Sequence, residues 1–197
     1  PISNKLIISS TLRYDYNLTK QDLNYLNNGT IGSYINEIKD KNLIGGNIKL
    51  NYKYDDFTFL NASISRGYKT AGINQTQAPF LSDSLKLYNT EFCNNIDIGA
   101  IYAQNNLKIE LSAFYMYRIN PQLRLSYQID ANDPTSFDYA TFNAKSGYNY
   151  GFEFSLDHKI SKKVTLGSYL SYLQTHVSSF SYLGTTYGNR ALAHSPN

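Results

Sequence analysis

Leu107-Lys108-Ile109-Glu110-Leu111-Ser112-Ala113-Phe114-Tyr115-Met116-Tyr117-Arg118 reads as two interleaved lists. Its odd positions are Leu, Ile, Leu, Ala, Tyr and Tyr, and its even ones Lys, Glu, Ser, Phe, Met and Arg. A period of two means a β-strand with one apolar and one mostly polar face. The stretch is about twice as long as the roughly five or six residues of a usual soluble strand. Its apolar list ends in tyrosines. Apolar outward, polar inward and aromatic at the water boundary is the pattern of a strand that crosses an outer membrane in a barrel.

Working outward, the pattern recurs. The same alternation predicts strands over residues 5–17, 43–55, 57–67, 94–104, 146–159 and 164–177, the last with the least regular faces. Over 5–17, Leu6, Ile8, Ser10, Leu12, Tyr14 and Tyr16 share a face; over 146–159, Tyr148, Tyr150, Phe152, Phe154 and Leu156 do. Asp55-Asp56, Asn105-Asn106 and Ser161-Lys162 are short connections, and turns that tight force antiparallel hairpins. Between them run four long segments, residues 18–42, 68–90, 119–140 and 178–190, rich in Asn, Gln, Ser, Gly and Pro. Long and short connections therefore alternate. All long connections fall at one end of the sheet, as in barrels with short periplasmic turns and long external loops. That assignment expects Asp56, Asn105 and Lys162 at the periplasmic end and Asn28, Gln77, Asp130 and Ser181 outside.

Composition agrees with this reading. Hydrophobic residues make up 42% of the chain and mean hydropathy is −0.42. No run approaches the roughly 18 to 20 apolar residues of a membrane-spanning helix, whereas a barrel strand averages to neutral hydropathy because half of it is polar. There are 19 Tyr and 10 Phe but no Trp, and tyrosine suits a position half in lipid and half at the interface. Net charge is +3 and spread along the chain, with no basic stripe for nucleic acid. Cys93 is alone, so no disulfide forms within the chain. His158, His176 and His194 have no metal-ligand spacing, and neither a nucleophilic triad nor a phosphate loop is present, so nothing suggests an enzyme or a cofactor. Seven strands leave two unpaired edges. A chain that opens on Pro1 and stops just past Pro196 reads as a contiguous slice of a larger barrel.

Several short motifs then carry a resemblance. Ser65-Arg66-Gly67-Tyr68-Lys69-Thr70-Ala71-Gly72-Ile73-Asn74 resembles the S-x-G-Y-K-x-G-G-F-N segment of TonB-dependent outer-membrane receptors, with Ala71 for the first Gly of the pair and Ile73 for Phe. Tyr88, Glu91 and Ile98-Gly99 are similar to the Y-x-x-E and E-x-G region, with Asp97 in place of Glu. Ala113-Phe114-Tyr115, Phe142-Asn143-Ala144 with Gly151-Phe152-Glu153, and Ala193-His194-Ser195-Pro196 resemble three further pieces, in the family's order. The resemblance implies part of the second half of a 22-stranded barrel, an internal plug, and energy from the TonB-ExbB-ExbD complex of the inner membrane. It also implies uptake of a ferric siderophore or a similar large, scarce nutrient.

On this frame Arg66, Glu110, Arg118, Glu153 and Asp157 are assigned to the polar, lumen-facing side, as a hydrated charge network or as contacts to a plug or ligand. Tyr68, Lys69, Asn74 and Gln77 in one long segment, with Tyr127, Gln128 and Asp130 in another, are the candidate ligand contacts. Aromatic and amide side chains together suit siderophores, haem or sugars. Two alternatives stay open: a passive porin or small eight-stranded barrel, and a soluble tyrosine-rich carbohydrate-binding β-protein. A receptor requires a plug upstream, a small barrel a signal peptide just before Pro1, and a soluble protein no detergent.

Overall fold

In the computed structural model of the chain, the described residues are 5–27, 30–74, 86–128, 132–182 and 185–191. The long strands are β1 (Leu6–Asn27), β2 (Thr30–Lys53), β3 (Thr58–Lys69), β6 (Glu91–Gln104), β7 (Leu107–Ile119), β10 (Ser146–Lys159) and β11 (Thr165–Val177). Between them lie β4 (Gly72–Ile73), β5 (Leu87–Tyr88), β8 (Gln122–Gln128), β9 (Phe137–Asn143), β12 (Phe180–Tyr182) and β13 (Thr185–Tyr187). The seven long strands form one antiparallel sheet in the order β1-β2-β3-β6-β7-β10-β11, a pure meander. The short ones pair in three small hairpin sheets, β4-β5, β8-β9 and β12-β13.

The register carries each face across the whole wall. One row reads Leu6, Tyr52, Leu60, Ala100, Leu111, Phe154, Leu170. A row of the other face reads Thr11, Asn47, Ser65, Asn95, Met116, Asn149, Thr175. A slip of one residue in any strand would break both rows. The apolar rows are not a core: Ile64 is 62% exposed and Ile98 58%. Their apolar surface needs lipid, because leaving so large a patch in water is strongly unfavourable.

Each short turn is closed differently. Asp55 Oδ1 accepts the backbone N–H groups of Phe57 and Thr58 at 2.8 and 2.7 Å, and Lys53 pairs with Asp56 at 2.6 Å. Asn105 takes the left-handed conformation, φ 49°, which asparagine tolerates. The Ser161 hydroxyl oxygen accepts the N–H groups of Lys163 and Val164 at 3.2 and 3.1 Å.

The structure corrects an expectation about the connections. Residues 18–42 are not an irregular loop: β1 and β2 continue as a paired hairpin arm, with Asn17 opposite Asp40 and Asn27 opposite Thr30. Once two strands are paired, the ladder propagates without an apolar face, and Asn, Lys and Gln side chains do not oppose it. A register shift between Asp15 and Asn17 and Asn42 at φ 60° mark where wall becomes arm. Within the last long connection, β12 and β13 form a small hairpin, joined to β11 by a bridge between Val177 and Arg190.

Candidate functional site

At the long-connection end of the wall, the hairpins and strand ends are stitched together by side chains. β8-β9 sits in the middle. On one side Ala140, Phe142 and Tyr182 form a buried cluster with Leu123, Leu125, Phe180 and Tyr187 packed on it; the Phe142 ring lies 4.9 Å from Tyr182 and 5.0 Å from Phe180. This is the only apolar core cluster among the described residues, and it belongs to the rim rather than the wall. Beside it, Gln122, Leu123, Arg124, Leu125, Phe180 and Arg190 line a cavity of about 310 Å³.

The other side of β8-β9 is polar and specific. Asn74 is buried; its Nδ2 donates to the Thr141 carbonyl at 2.6 Å, and its Oδ1 accepts the Thr141 N–H at 2.8 Å. Gln122 Nε2 donates to the carbonyls of Thr70 and Asn89 at 2.9 and 3.0 Å. Glu91 accepts Arg118 Nε on one oxygen at 2.6 Å and the Gln122 N–H on the other at 2.9 Å. The two charged side chains are only 16% (Arg118) and 10% (Glu91) exposed. Asn143 Nδ2 donates to the carbonyls of Asn89 and Asn120 at 2.9 and 2.8 Å, and its Oδ1 accepts the Asn89 N–H at 2.6 Å. The Thr90 hydroxyl accepts the Ala71 N–H at 3.0 Å. Apart from the Arg118–Glu91 ion pair, each contact satisfies a backbone group that a non-repetitive connection would leave orphaned. A Cβ on Gly72 would lie 2.0 Å from the Tyr88 hydroxyl and 2.2 Å from its Cζ, so only glycine lets that ring lie over the chain.

The polar face of the wall carries a second network. Asp97 accepts Ser63 at 3.0 Å and Asn95 at 2.6 Å. Glu110 pairs with Lys108 at 2.6 Å and accepts the Ser155 hydroxyl at 3.3 Å. Glu153 stands opposite Ser112 and Ser171, and Asp157 opposite Lys108 and Gly167.

These positions sort the residues singled out from sequence. Glu110, Glu153 and Asp157 lie on the polar face, where the alternation puts them. Arg118 shares that face but is held in the ion pair with Glu91 rather than free. Arg66 does not belong there: it alternates with Ile64 and Ala62, opposite Gly46 and Asn94 on the apolar face. Assigning it by charge alone misplaces it, because parity decides the face. Tyr68 caps β3; its hydroxyl donates to Asp15, its ring edge meets Phe92 at 6.3 Å, and Arg13 lies 5.6 Å from its centre. Lys69 is exposed at the end of β3. Asn74 is fully engaged with Thr141, so it holds the rim together. Gln128 donates to the Asp133 carbonyl at 3.0 Å, and Tyr127 lies in β8 opposite Asp138. Gln77 and Asp130 lie outside the described residues. Gln122, Thr90 and Asn89 escape sequence reading, since no periodicity marks a side chain whose partner is a distant carbonyl. Tyr88, Glu91 and Asn143 do enter it, through the family motifs alone.

An open antiparallel wall with one apolar and one polar face, and its long connections at one end, defines a segment of a transmembrane β-barrel. The chain belongs to the TonB dependent receptor-like, beta-barrel family, whose model matches residues 1–197. Two solved structures share the fold. The ferric yersiniabactin uptake receptor FyuA from Yersinia pestis superposes with a TM-score of 0.70 at 14% identity, over 90% of this chain and 25% of that one. The copper transporter OprC superposes with a TM-score of 0.58 at 14% identity, over 88% and 27%. The chain thus spans about a quarter of the length of each. No curated protein matches it in sequence.

Proposed function

We propose that this chain is wall and outer rim of an outer-membrane receptor that imports a ferric siderophore, or another large and scarce nutrient, using energy from the TonB-ExbB-ExbD complex. The observation that carries the reading is the rim: the connections after β3 and β7 meet at one end and are clamped to each other there by buried amides and a buried ion pair. A rigid frame of this kind suits loops that must hold a ligand above a wide lumen. The family match and the uptake roles named for FyuA and OprC support it. On this reading the barrel sits in the bacterial outer membrane, with its short turns toward the periplasm. Among the ligand contacts expected from sequence, Tyr68, Lys69, Gln77, Tyr127, Gln128 and Asp130 remain candidates. Asn74 acts as a frame residue, and Glu110, Glu153 and Asp157 line the lumen.

Uptake of a radiolabelled ferric siderophore by cells expressing the full-length receptor tests this. Uptake should stop on loss of TonB or on collapse of the proton-motive force. Uptake that continues under both conditions would make the protein a passive pore. Orientation is tested separately by single-cysteine labelling of intact cells with Cys93 replaced: Ser181→Cys should label, and Asn105→Cys or Lys162→Cys should not.

A further inference from the structure

Arg66 breaks an otherwise strict rule. Across residues 6–15, 44–53, 58–69, 91–104, 107–119, 146–159 and 165–177, every other Asp, Glu, Lys and Arg falls on the polar face, Lys49, Asp97, Glu110 and Glu153 among them. Arg66 alone stands on the apolar face. A guanidinium there is strongly unfavourable at the bilayer midplane, and its cost falls toward zero at the interface. Arg66 is three positions from the end of β3 at Lys69, on the long-connection side; a membrane strand needs about 9–11 residues to cross, which puts this end of a twelve-residue strand at the headgroup level.

Its surroundings form a seat. The guanidinium carbon lies 4.3 Å above the Phe92 ring, and Nη1 reaches Asn94 Oδ1 at 3.5 Å. Gly46 on the other side presents no side chain. No carboxylate pairs with Arg66 among the described residues. The same row continues through Tyr117 and Tyr148 to His176, whose ring stacks on Tyr148 at 4.7 Å. A planar cation held flat on an aromatic ring, with most of its donors unspent, at the depth of lipid headgroups, is complementary to a phosphate.

We infer that Arg66, seated on Phe92 and beside Asn94, binds the phosphate of an outer-leaflet glycolipid on the outside of the barrel. The site is separate from the transport path, which lies on the other face of the sheet. The inference rests on the proposed orientation, which cysteine labelling judges independently.

The test uses the full-length receptor, delipidated in detergent and titrated with diphosphorylated lipid A while intact complexes are counted by mass spectrometry. The wild-type protein should bind about tenfold tighter than Arg66→Gln, the loss of one charge-assisted, bidentate contact. Arg66→Lys should fall between, and lipid A stripped of phosphate should bind wild type and variant alike. Equal binding of diphosphorylated lipid A by wild type and Arg66→Gln would overturn the inference. So would Arg66-dependent binding of phosphatidylglycerol with none of lipid A, which would put the residue in the inner leaflet. Inorganic phosphate that binds at Arg66 as tightly as lipid A would reduce it to a free-anion site and also overturn it. Should Arg66→Gln lose the heat-dependent gel shift of a folded barrel, Arg66→Lys and Asn94→Ala carry the same comparison.

Discussion

The wall and the rim of this barrel segment are built on opposite principles. In the wall, backbone ladders supply the order and side chains only choose between two solvents; even mid-strand Leu111 is half exposed on the isolated sheet. In the rim, backbone order is short-range, and buried side chains do the joining: Asn74 to Thr141, Gln122 to Thr70 and Asn89, Glu91 to Arg118. Wall positions are therefore interchangeable within a chemical class, whereas rim positions are specified atom by atom. A wall can drift in sequence and remain a wall. A rim has less latitude, because each clamp names both of its partners.

The sharpest way to break this contrast is Glu91→Ala. It leaves Arg118 buried without a counter-charge and the Gln122 N–H without an acceptor, a loss of about 3–5 kcal/mol for a broken buried pair. The loss should be local. Hydrogen exchange at the Ala71 and Gln122 amides should accelerate by orders of magnitude, while amides in the middle of β7 and β10 stay protected. Uniform loss of protection would show that rim and wall are one cooperative unit. Adding Arg118→Met should restore part of the loss, because it removes the stranded charge.

Next in size is a test of the wall. Leu111→Arg meets the apolar row, and its cost at mid-membrane is about 2–4 kcal/mol. Ser112→Arg, one residue along, enters the polar face between Gly99 and Glu153 and should cost far less. Folding of the full-length barrel into lipid vesicles, followed by urea titration, reads the difference. The reverse order would mean that the faces are exchanged.

How legible each region is in sequence follows from the same contrast. The bounds of β10 are those the alternation predicts, residues 146–159, and β7 extends the opening stretch by one residue. A two-sided sheet writes its faces into every second residue, so it can be read locally. The arm formed by residues 18–42 could not be read, because its sequence does not alternate: Leu18, Lys20, Asp22, Asn24 and Leu26 share one parity, and Thr19, Gln21, Leu23 and Tyr25 the other. The clamp was invisible for a different reason: Gln122 finds its partners more than fifty residues away at Thr70 and more than thirty away at Asn89. Arg66 teaches a third lesson. Charge suggested the lumen, but its parity with Ile64 placed it on the lipid side, and parity was already written in the sequence.

Gly72→Ala probes the rim more gently. The added Cβ meets the hydroxyl and Cζ of Tyr88 at 2.0 and 2.2 Å, contacts that force the whole ring to move. Overpacking of this sort costs about 1–3 kcal/mol. Adding Tyr88→Ala should remove the clash, leaving only the cost of the lost ring. If Gly72→Ala is neutral on its own, the β4-β5 hairpin is not tightly fixed to the rim, and the rigid frame proposed for ligand loops weakens with it.

The smallest effect concerns pH, and it asks whether the two ends of the wall share any device. At the short-turn end, backbone N–H donation, from Phe57 above all, holds the Asp55 carboxyl below its ordinary value. At the long-connection end, Asp133 is lowered in the same way by the hydroxyl and N–H of Thr135, at 2.7 and 2.9 Å. Both are exposed carboxylates closing a turn on the next residues. A lowered carboxylate contributes stability that is present above its unfolded pKa and lost as pH falls through the folded one. Both turns should therefore stay closed at neutral and mildly acidic pH and loosen only below the usual carboxylate range. Nuclear magnetic resonance of the Phe57, Thr58 and Thr135 amides, titrated downward in acid, should show all three moving together with their carboxylates. Asp55→Asn should abolish the pH dependence at Phe57 and leave Thr135 unchanged. If Phe57 and Thr58 still titrate in Asp55→Asn, the turn is set by another group (Asp56 with Lys53 is the nearest candidate), and the similarity between the two ends would be lost.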